Sequence, residues 1–227
     1  MRVMVLAAGR GERLRPLTDT VPKAMVRAGG KPLIAWHLER LAAAGYGEVV
    51  INVSHLADRI VEGLSDGKRF GVRITYSRER EPLETAGGIA KARALLGEAP
   101  FLLVNADIYC EFDFAALRRV SLAARLAHLV LVPNPRHRSR GDFTLEAGTV
   151  GDGPEPRYTY AGIAVMSPTM VAGVASGQKA PLAPLLYAAA ALRLVGGELY
   201  RGVWQDVGTR ERLAELEAHL ASGSAQR

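Results

Sequence analysis

The chain has 227 residues, 48% of them hydrophobic and 23% charged, with a formal net charge of +6. This composition supports one substantial core and argues against a disordered chain. No apolar run approaches the roughly 20 residues that cross a membrane, and the N-terminus lacks the cleavable pattern of a signal peptide. The single cysteine, Cys110, excludes an internal disulfide. We therefore predict a cytoplasmic protein that does not associate with membranes.

Basic residues are scattered among acidic ones along most of the chain. The one dense basic patch after the first loop contains Arg136, Arg138 and Arg140. Aromatic residues make up only 6% of the chain and do not interleave with this patch, so no base-stacking surface is indicated. We predict no nucleic-acid partner, because phosphate-bearing substrates explain part of the positive charge equally well.

Short apolar runs alternate with helical patterns along the chain. The predicted strands are Val3–Leu6, Val49–Val53, Val72–Tyr76, Phe101–Val104, His128–Val132, Phe143–Leu145 and Ala161–Met166. The predicted helices are Pro32–Ala44, Ala57–Leu64, Ile89–Leu96, Ala183–Ala191 and Arg210–Ala221. This alternation predicts an α/β fold of three layers, with a Rossmann-like, mainly parallel sheet. Glycine, proline and charge between residues 134 and 160 predict a small subregion of hairpins and loops. We expect a single domain over residues 1–220 and a frayed tail over 221–227.

The most specific pattern follows the first predicted strand. Gly9 and Gly11 open a turn whose backbone N–H groups can approach an anion closely, and Arg13 and Lys23 add positive charge. Such a loop suits phosphate groups. Gly-x-Gly alone would equally fit a tight turn from strand to helix. The loop is neither a Walker A loop nor a dinucleotide-binding fingerprint, because Gly-Lys-Ser/Thr and the third glycine are missing.

The longer string around these glycines resembles the signature of sugar-1-phosphate nucleotidyltransferases, G-x-G-x-R-x-x-P-x-T-x-x-x-P-K. Every spacing is kept, by Gly9, Gly11, Arg13, Pro16, Thr18, Pro22 and Lys23. The resemblance implies that a nucleoside triphosphate and a sugar 1-phosphate give a nucleoside diphosphate sugar and pyrophosphate. It also implies that Arg13 and Lys23 are catalytic, and that Ala8, Gly9 and Gly11 bind the nucleotide.

Two aspartates that are far apart in sequence are candidate metal ligands. Asp107 follows a buried strand, where sheets of this kind bind ligands, although aspartate is also common in turns after strands. Asp206 lies in the string Trp-Gln-Asp-Val-Gly-Thr and could instead cap the helix that follows. The resemblance assigns both carboxylates to Mg²⁺, a hard cation that takes oxygen ligands. Ala106 stands where relatives usually have glycine before the first aspartate.

The resemblance extends to residues around the base and the sugar. It implies nucleotide binding by Asn52, Glu79, Thr85 and Gly87. It implies sugar-phosphate binding by Asn105, Asp142, Gly162 and Lys179. Lys179 is included because Pro154–Arg157 stands where many relatives carry a Glu-Lys-Pro segment. Either Glu79 or Glu81 could accept from guanine or uracil, so charge alone leaves the base open.

Glu84 stands in the string Glu-Pro-Leu-Glu-Thr, at a position where the family usually has glycine. In this it is similar to the branch of uridylyltransferases that act on N-acetylmuramic acid 1-phosphate, which implies UTP as the other substrate and a role in peptidoglycan recycling. A guanylyl- or thymidylyltransferase for another hexose 1-phosphate is an alternative. A non-catalytic nucleotide-binding subunit is a third reading, although a pure binder would not need both aspartates.

Other reactive side chains offer no second chemistry. Ser54, Ser77 and Cys110 have no evident base beside them, so we expect no covalent nucleophile. The histidines have no spacing typical of metal ligands and are interpreted as surface or packing residues. We expect a monomer or a small homo-oligomer.

Overall fold

A computed structural model describes residues 1–154 and 156–224. The strands in these parts of the chain are β1 (Val3–Leu6), β2 (Arg27–Ala28), β3 (Lys31–Pro32), β4 (Glu48–Val53), β5 (Arg73–Arg78), β6 (Phe101–Asn105), β7 (Ile108–Cys110), β8 (Ala127–Val132), β9 (Phe143–Glu146), β10 (Thr149–Gly151), β11 (Arg157–Met166), β12 (Val195–Leu199) and β13 (Trp204–Asp206). The α-helices there are α1 (Leu17–Thr20), α2 (Leu33–Ala43), α3 (Ala57–Leu64), α4 (Glu84–Leu96), α5 (Phe114–Leu117), α6 (Ala183–Ala191) and α7 (Arg210–Ser224). Within the described residues, each helix is too short or too polar to span a membrane.

One half of the main sheet is parallel. Its strands lie in the order β5–β4–β1–β6, and each neighbouring pair is parallel. Strands β1 and β6 are almost wholly apolar because both of their faces are covered. Helices α2 and α3 pack on one face, and α4 packs on the other. The predicted α/β fold with three layers is therefore confirmed.

The other half of the sheet is mixed. Strand β11 runs antiparallel to β6 and β8, whereas β12 is parallel to β8. Strands β9 and β10 form a hairpin at the edge, within the region where hairpins are predicted. Strand β12 was not predicted, because Gly196 and Gly197 interrupt its apolar pattern. A Cβ at either glycine would lie 2.6 Å from a neighbouring side chain, so close packing explains both.

Helix α4 begins at Glu84, five residues before the predicted start at Ile89. Glycines argue against a helix here, but tertiary contacts compensate. The backbone N–H of Gly87 donates to the carbonyl of Ala180 at 3.1 Å. A Cβ at Gly87 would lie 2.2 Å from the carbonyl oxygen of Gln178, so the chain before α6 packs directly on the helix backbone. The predicted helix start at Ile89 is therefore wrong by five residues.

Helix α7 continues to Ser224, three residues beyond its predicted end at Ala221. Residues 221–224 of the predicted frayed tail are therefore helical, and residues 225–227 lie outside the described residues. The helix is anchored by Leu216, which is fully buried in a small cluster with Tyr109 and Val207.

A two-stranded pairing outside the main sheet joins distant parts of the chain. Strands β7 and β13 are antiparallel, with Ile108 opposite Asp206. The backbone N–H of Val207 also donates to the carbonyl of Asp107 at 2.8 Å. The two aspartates predicted as metal ligands are thus brought together beyond the carboxyl end of β6. Strands of three residues are too short for hydrophobic periodicity to reveal.

Candidate functional site

A cleft of about 880 Å³ opens at the carboxyl ends of β1 and β6. Ligands bind in this place in open α/β sheets. Its wall contains the predicted site residues Ala8, Gly9, Gly11, Arg13, Lys23, Asn52, Thr85, Asn105, Asp107 and Lys179. One cavity therefore collects the loop after β1, the side chains at strand ends and the start of α4.

The glycine-rich loop has the geometry that its sequence pattern requires. Gly11 has a φ of +66°, and a Cβ there would lie 2.9 Å from Thr18 and 3.0 Å from Lys23. The Thr18 hydroxyl donates to the Gly11 carbonyl at 2.8 Å, which fixes the turn. A Cβ at Gly9 would meet no atom within 4 Å, so the backbone there faces open space. An anion can therefore approach the loop without displacing a side chain.

Lys23 and Asp107 form an ion pair at the cleft. Lys23 Nζ lies 2.5 Å from Asp107 Oδ2, and the two side chains are 12% and 40% exposed. Pro22 precedes the short turn that carries the lysine. The lysine charge is therefore held beside the end of β6, where an incoming phosphate oxygen would compete for it.

Asp206 is paired with a cation that the sequence did not reveal. Its Oδ1 accepts a hydrogen bond from Arg212 of α7. The same guanidinium lies 2.9 Å from His137 Nε2, in the loop after β8, and that nitrogen is 3.2 Å from Asp206 Oδ2. Burial first, and then the nearby Arg212 and Arg13 guanidinium groups, lower the pKa of His137. Arg212 and Asp206 thus both lie within hydrogen-bond distance of the same imidazole nitrogen, which can accept from the guanidinium or donate to the carboxylate according to its tautomer.

Asp107 and Asp206 fit a divalent cation that is held largely by oxygen ligands from outside the protein. Asp107 is already paired with Lys23, and Asp206 is already paired with Arg212. Both carboxylates therefore stand where a positive charge is stabilised. Throughout residues 1–154 and 156–224, no group of three or more His, Cys, Asp or Glu side chains could hold a metal ion. Waters and phosphate oxygens would have to complete the coordination shell, which is the usual arrangement for Mg²⁺.

Gly208 lies between two guanidinium groups at the wall of the cleft. A Cβ at this position would be 2.7 Å from the Nη2 atoms of both Arg13 and Arg212. Burial, followed by the charge of Arg13, lowers the pKa of Arg212. The carboxylate of Asp206 therefore offsets a repulsion that the two arginines would otherwise feel.

Asn52, at the cleft wall, and Glu79, which does not line it, are both buried. Asn52 Oδ1 accepts from the N–H of Ala7 at 2.9 Å, and its Nδ2 donates to Glu79 Oε1 at 2.7 Å. Glu79 Oε2 accepts from the N–H of Leu83 at 3.0 Å. Glu79 thus uses both oxygens within the protein and does not line the cleft, so its predicted direct contact with nucleotide becomes a positioning role. Glu81 does line the cleft and is the carboxylate left for a base.

Glu84 adopts a backbone conformation that favours glycine. Its φ is +60°, a region that costs other residues about 1–2 kcal/mol. This agrees with the glycine that the family usually has at this position. Its carboxylate lies 3.6 Å from Lys179 Nζ, and both residues line the cleft. Thr85 also lines the cleft, whereas Gly87 is buried under the chain before α6 and serves packing rather than the predicted nucleotide contact.

A second cavity of about 420 Å³ adjoins the first. Its wall is formed by Glu84, Thr85, Asn105, Arg138, Asp142, Phe143, Tyr160, Pro181, Leu182, Ala183, Leu186 and Tyr187. Glu84, Thr85 and Asn105 line both cavities, so the two spaces meet at these residues. Most of the second wall is apolar, unlike the charged loop end of the first cleft.

The charged and polar residues of the second wall are Glu84, Thr85, Asn105, Arg138 and Asp142. Asp142 Oδ2 accepts from the N–H of Tyr160 at 2.8 Å, and Oδ1 lies 3.4 Å from the Arg138 guanidinium. The Tyr160 hydroxyl is buried and has no hydrogen-bond partner among the described residues, and burial raises its pKa. A buried hydroxyl of this kind needs a partner, and a bound ligand would provide one.

Gly162 shapes the cavities without lining them. It has a φ of +77°, and a Cβ there would lie 2.7 Å from Asn105 Nδ2. The register of β11 against β8 also shifts between Tyr160 and Ala164. Gly162 therefore lets Asn105 lie across β11, and the predicted substrate contact of this glycine becomes a positioning role.

Arg157 does not replace the lysine of the missing Glu-Lys-Pro segment. Its guanidinium donates to the Gly153 carbonyl at 2.8 Å, to Asp152 at 2.9 Å and to the Asp142 carbonyl. All of these contacts tie the surrounding loops together. Glu155 of this segment lies outside the described residues. Lys179, at the cleft wall, stays the candidate.

Arg212, His137 and Tyr160 were missed by the sequence analysis. A basic residue in the first turn of α7 is unfavourable beside the positive end of the helix dipole, and this signal could have marked Arg212. Neither His137 nor Tyr160 has a comparable local signal, because their partners lie on other elements.

Comparisons with known proteins agree with this geometry. Residues 2–143, more than half of the chain, match the family described as Nucleotidyl transferase. The chain is 46% identical over 229 residues to N-acetylmuramate alpha-1-phosphate uridylyltransferase of Neisseria meningitidis, with 96% of this chain and 97% of the relative covered.

Two further similarities concern part of the sequence and the fold. A mannose-1-phosphate guanyltransferase of Schizosaccharomyces pombe is 45% identical over 120 residues, which are 52% of this chain and 33% of that protein. A crystal structure from Bacillus anthracis, assigned as a glucose-1-phosphate thymidylyltransferase, superposes with a TM-score of 0.85 at 18% identity, over 97% of this chain and 95% of the other. The structural match supports the fold alone.

Proposed function

Since this chain belongs to the nucleotidyl transferase family, we propose that it transfers a uridylyl group from UTP to N-acetylmuramic acid 1-phosphate. The products are UDP-N-acetylmuramate and pyrophosphate. The family predicted from the glycine-rich loop is confirmed, and the uridylyltransferase of Neisseria meningitidis is similar over nearly the full length of this chain. Use of Mg²⁺, a cytoplasmic location and a role in peptidoglycan recycling are parts of the same proposal.

The observation that carries the proposal is the junction of the two cavities. The larger cleft has a glycine-rich, positively charged loop at one end, whereas the wall of the smaller cavity combines apolar and aromatic side chains with five charged or polar ones. A nucleoside triphosphate matches the first and a substituted sugar matches the second. The sugar phosphate would then lie at Thr85 and Asn105, within reach of the nucleotide.

Direct transfer of the nucleotidyl group needs no protein nucleophile. An ionised oxygen of the sugar phosphate attacks the α-phosphorus in line. A new P–O bond forms, the bond between the α- and β-phosphates breaks, and pyrophosphate leaves with the electron pair. The sugar phosphate is already ionised near pH 7, so catalysis depends on positioning and on charge neutralisation.

The residues on the cleft wall suit these tasks. Arg13 and the loop N–H groups hold the pyrophosphate end, and Lys23 reaches the α-phosphate or the sugar phosphate. When bound, Mg²⁺ held by Asp107 and Asp206 would supply positive charge to the phosphate oxygens. Lys179, which also lines the cleft, would contact the sugar phosphate.

Arg138 is the proposed contact for the lactyl carboxylate of the muramic sugar. The sequence left Arg136, Arg138 and Arg140 as equal candidates, and of these only Arg138 lines the second cavity. It faces Asp142 at 3.4 Å in this structure. A charge-assisted hydrogen bond from this guanidinium would be worth about 1.5–3 kcal/mol at most.

Guanylyl transfer is the second candidate. The guanyltransferase of Schizosaccharomyces pombe is 45% identical to this chain over 52% of its length. The exposed Glu81 lines the larger cleft and could accept from guanine N–H groups. Because the similarity covers only part of this chain, it does not favour a particular sugar.

A pyrophosphate-release assay tests the assignment. The four nucleoside triphosphates would be combined with N-acetylmuramic acid, N-acetylglucosamine, glucose and mannose 1-phosphates. We expect UTP with the muramic sugar to give the highest kcat/KM. GTP with mannose 1-phosphate as the best pair would overturn the proposal, and failure of every pair would favour a non-catalytic subunit.

A further inference from the structure

Three features of Arg212 are not explained by a role in stabilising the fold. It lies in the first turn of α7, where a positive charge is unfavourable beside the helix dipole. Its side chain is only 12% exposed, which is a costly place for a guanidinium. It also lies next to a second guanidinium, that of Arg13, across Gly208. Three unfavourable terms at one residue indicate a compensating role.

Asp206 is the carboxylate partner that offsets these terms in the free protein. Any cation that took this carboxylate would leave the Arg212 guanidinium beside His137 and Arg13. Two adjacent guanidinium groups at the wall of a phosphate cleft form a good site for an anion with several oxygens, because each presents paired N–H donors. Gly208 keeps the space between the two groups free of a side chain.

The Lys23–Asp107 pair repeats the same arrangement at the other carboxylate. Each aspartate thus has its own positive side chain, and each of those side chains is beside the space that phosphates would enter. The arrangement keeps the two carboxylates neutralised before substrates bind. When the two carboxylates bind a metal ion instead, the Lys23 and Arg212 side chains become available to bind phosphate.

We propose that Arg212 is an exchangeable counter-ion, which pairs with Asp206 in the free protein and turns to bind the pyrophosphate part of the nucleotide, together with Arg13, once a divalent cation takes Asp206. This inference rests on the proposed nucleotidyl transfer. It assigns Arg212 as a catalytic residue that holds the leaving group.

Exchange predicts two opposite effects of removing the Arg212 charge. Divalent cations should bind more tightly without nucleotide, because the competing cation is gone. Pyrophosphate should bind more weakly, because a donor is gone. If Arg212 merely held Asp206 in place, its removal would instead weaken cation binding.

The experiment compares the unmodified protein with Arg212→Gln, Arg212→Lys and Arg210→Gln. Arg210 is exposed, lies in the same helical turn and provides a control with the same loss of charge. Mn²⁺ binding would be measured without nucleotide by electron paramagnetic resonance of the free ion. Binding of inorganic pyrophosphate would be measured by calorimetry with Mg²⁺ present, and thermal unfolding would confirm that each variant is folded.

For Arg212→Gln we expect Mn²⁺ affinity to rise about threefold or more and pyrophosphate affinity to fall about 10- to 100-fold. Arg210→Gln should change both by less than about twofold, and Arg212→Lys should recover part of the pyrophosphate affinity. Unchanged or weaker Mn²⁺ binding would overturn the exchange, and unchanged pyrophosphate binding would overturn the leaving-group role. Neither probe contains a base or a sugar, so an error in the assignment of UTP and the muramic sugar would leave both results unaffected.

Discussion

The two cavities of this molecule differ in how they are built. Arg13, Lys23 and Asp107 line the loop end of the larger cleft, and the Arg212–Asp206 pair lies next to Gly208 of its wall. Seven of the twelve residues that line the smaller cavity are apolar or aromatic, and the other five are Glu84, Thr85, Asn105, Arg138 and Asp142. Charged side chains are concentrated at the loop end of the larger cleft, whereas apolar and aromatic side chains form most of the wall of the smaller cavity.

Because of this difference, we expect the loop end of the larger cleft to control the reaction rate and the smaller cavity to control the choice of sugar. Preorganised charge in a cleft stabilises a transition state whichever sugar is attached, so the loop end should control kcat for every substrate. An apolar cavity with a few polar groups distinguishes related substrates by only about 1–3 kcal/mol for each group that differs. Substitutions at the loop end should therefore have larger effects than substitutions in the smaller cavity.

The largest effect is expected at the two carboxylates. Asp107→Ala and Asp206→Ala should each lower kcat by about 10³ or more, since either change removes a ligand for the cation that neutralises the phosphates. Steady-state assays with UTP would measure this loss. EDTA should stop the unmodified enzyme, and added Mg²⁺ should restore it.

Asp58→Ala is the matched control, because Asp58 is exposed and pairs only with Arg78 at the surface. Full activity in EDTA, or an equal loss in the control, would contradict a metal role for these aspartates.

The next largest effect is expected at the positive side chains. Arg13→Ala and Lys23→Ala should each lose about 10²–10³ in kcat/KM, as for other preorganised donors to a transition state. Arg2→Ala should be nearly silent, because Arg2 pairs with Glu48 at the surface. Similar losses at all three positions would show that the loop end has no special role.

A smaller effect, confined to selectivity, is expected for Arg138. The unmodified enzyme should prefer muramic over glucosamine 1-phosphate by about 10- to 100-fold, and Arg138→Ala should remove most of this preference. The Arg138 side chain is 53% exposed, so high salt should reduce the preference as well. Values of kcat/KM for both sugars would test this, with Arg136→Ala and Arg140→Ala as controls. If Arg138→Ala kept the same sugar preference as Arg136→Ala and Arg140→Ala, a contact between Arg138 and the lactyl carboxylate would be excluded.

The smallest effect is expected for Tyr160→Phe. The hydroxyl has no partner within the described protein, so its removal should leave the free energy of unfolding unchanged or slightly higher. The KM for the sugar phosphate should nevertheless rise about 2- to 10-fold, because a hydrogen bond to the ligand is lost. Thermal unfolding and sugar titration together make the test. A clear loss of stability without a change in KM would give the hydroxyl a role in the fold instead.

The same contrast explains what the sequence could predict. The loop from Gly9 to Lys23 is continuous in sequence, so its spacing alone identified the phosphate end and the family. Strands β1 and β6 were predicted almost to the residue, because buried parallel strands are continuous apolar runs. Local patterns therefore recovered the parallel half of the sheet and the charged loop.

Features that depend on contacts between distant segments were not predictable. The early start of α4 relies on a backbone acceptor at Ala180, and the burial of Glu79 relies on Asn52 and Leu83. The partner of Asp206 lies on α7 and shows only an unfavourable charge in its first turn. Such positions follow from tertiary packing, which overrides local propensity.

The pairing of β7 with β13 also bears on the order in which this protein becomes active during folding. Both metal-binding candidates depend on that small pairing, whose strands come from the middle and the late part of the described chain. The pairing of β1 with β6, where Val3 lies opposite Leu102, spans about as much chain as the pairing of β7 with β13, so the two have a similar loop entropy. The phosphate-binding loop, by contrast, is continuous in sequence and needs no long-range closure. A folding chain that has formed this loop still needs the β7–β13 pairing to bring its two carboxylates together, so nucleotide could bind to it before it could be turned over.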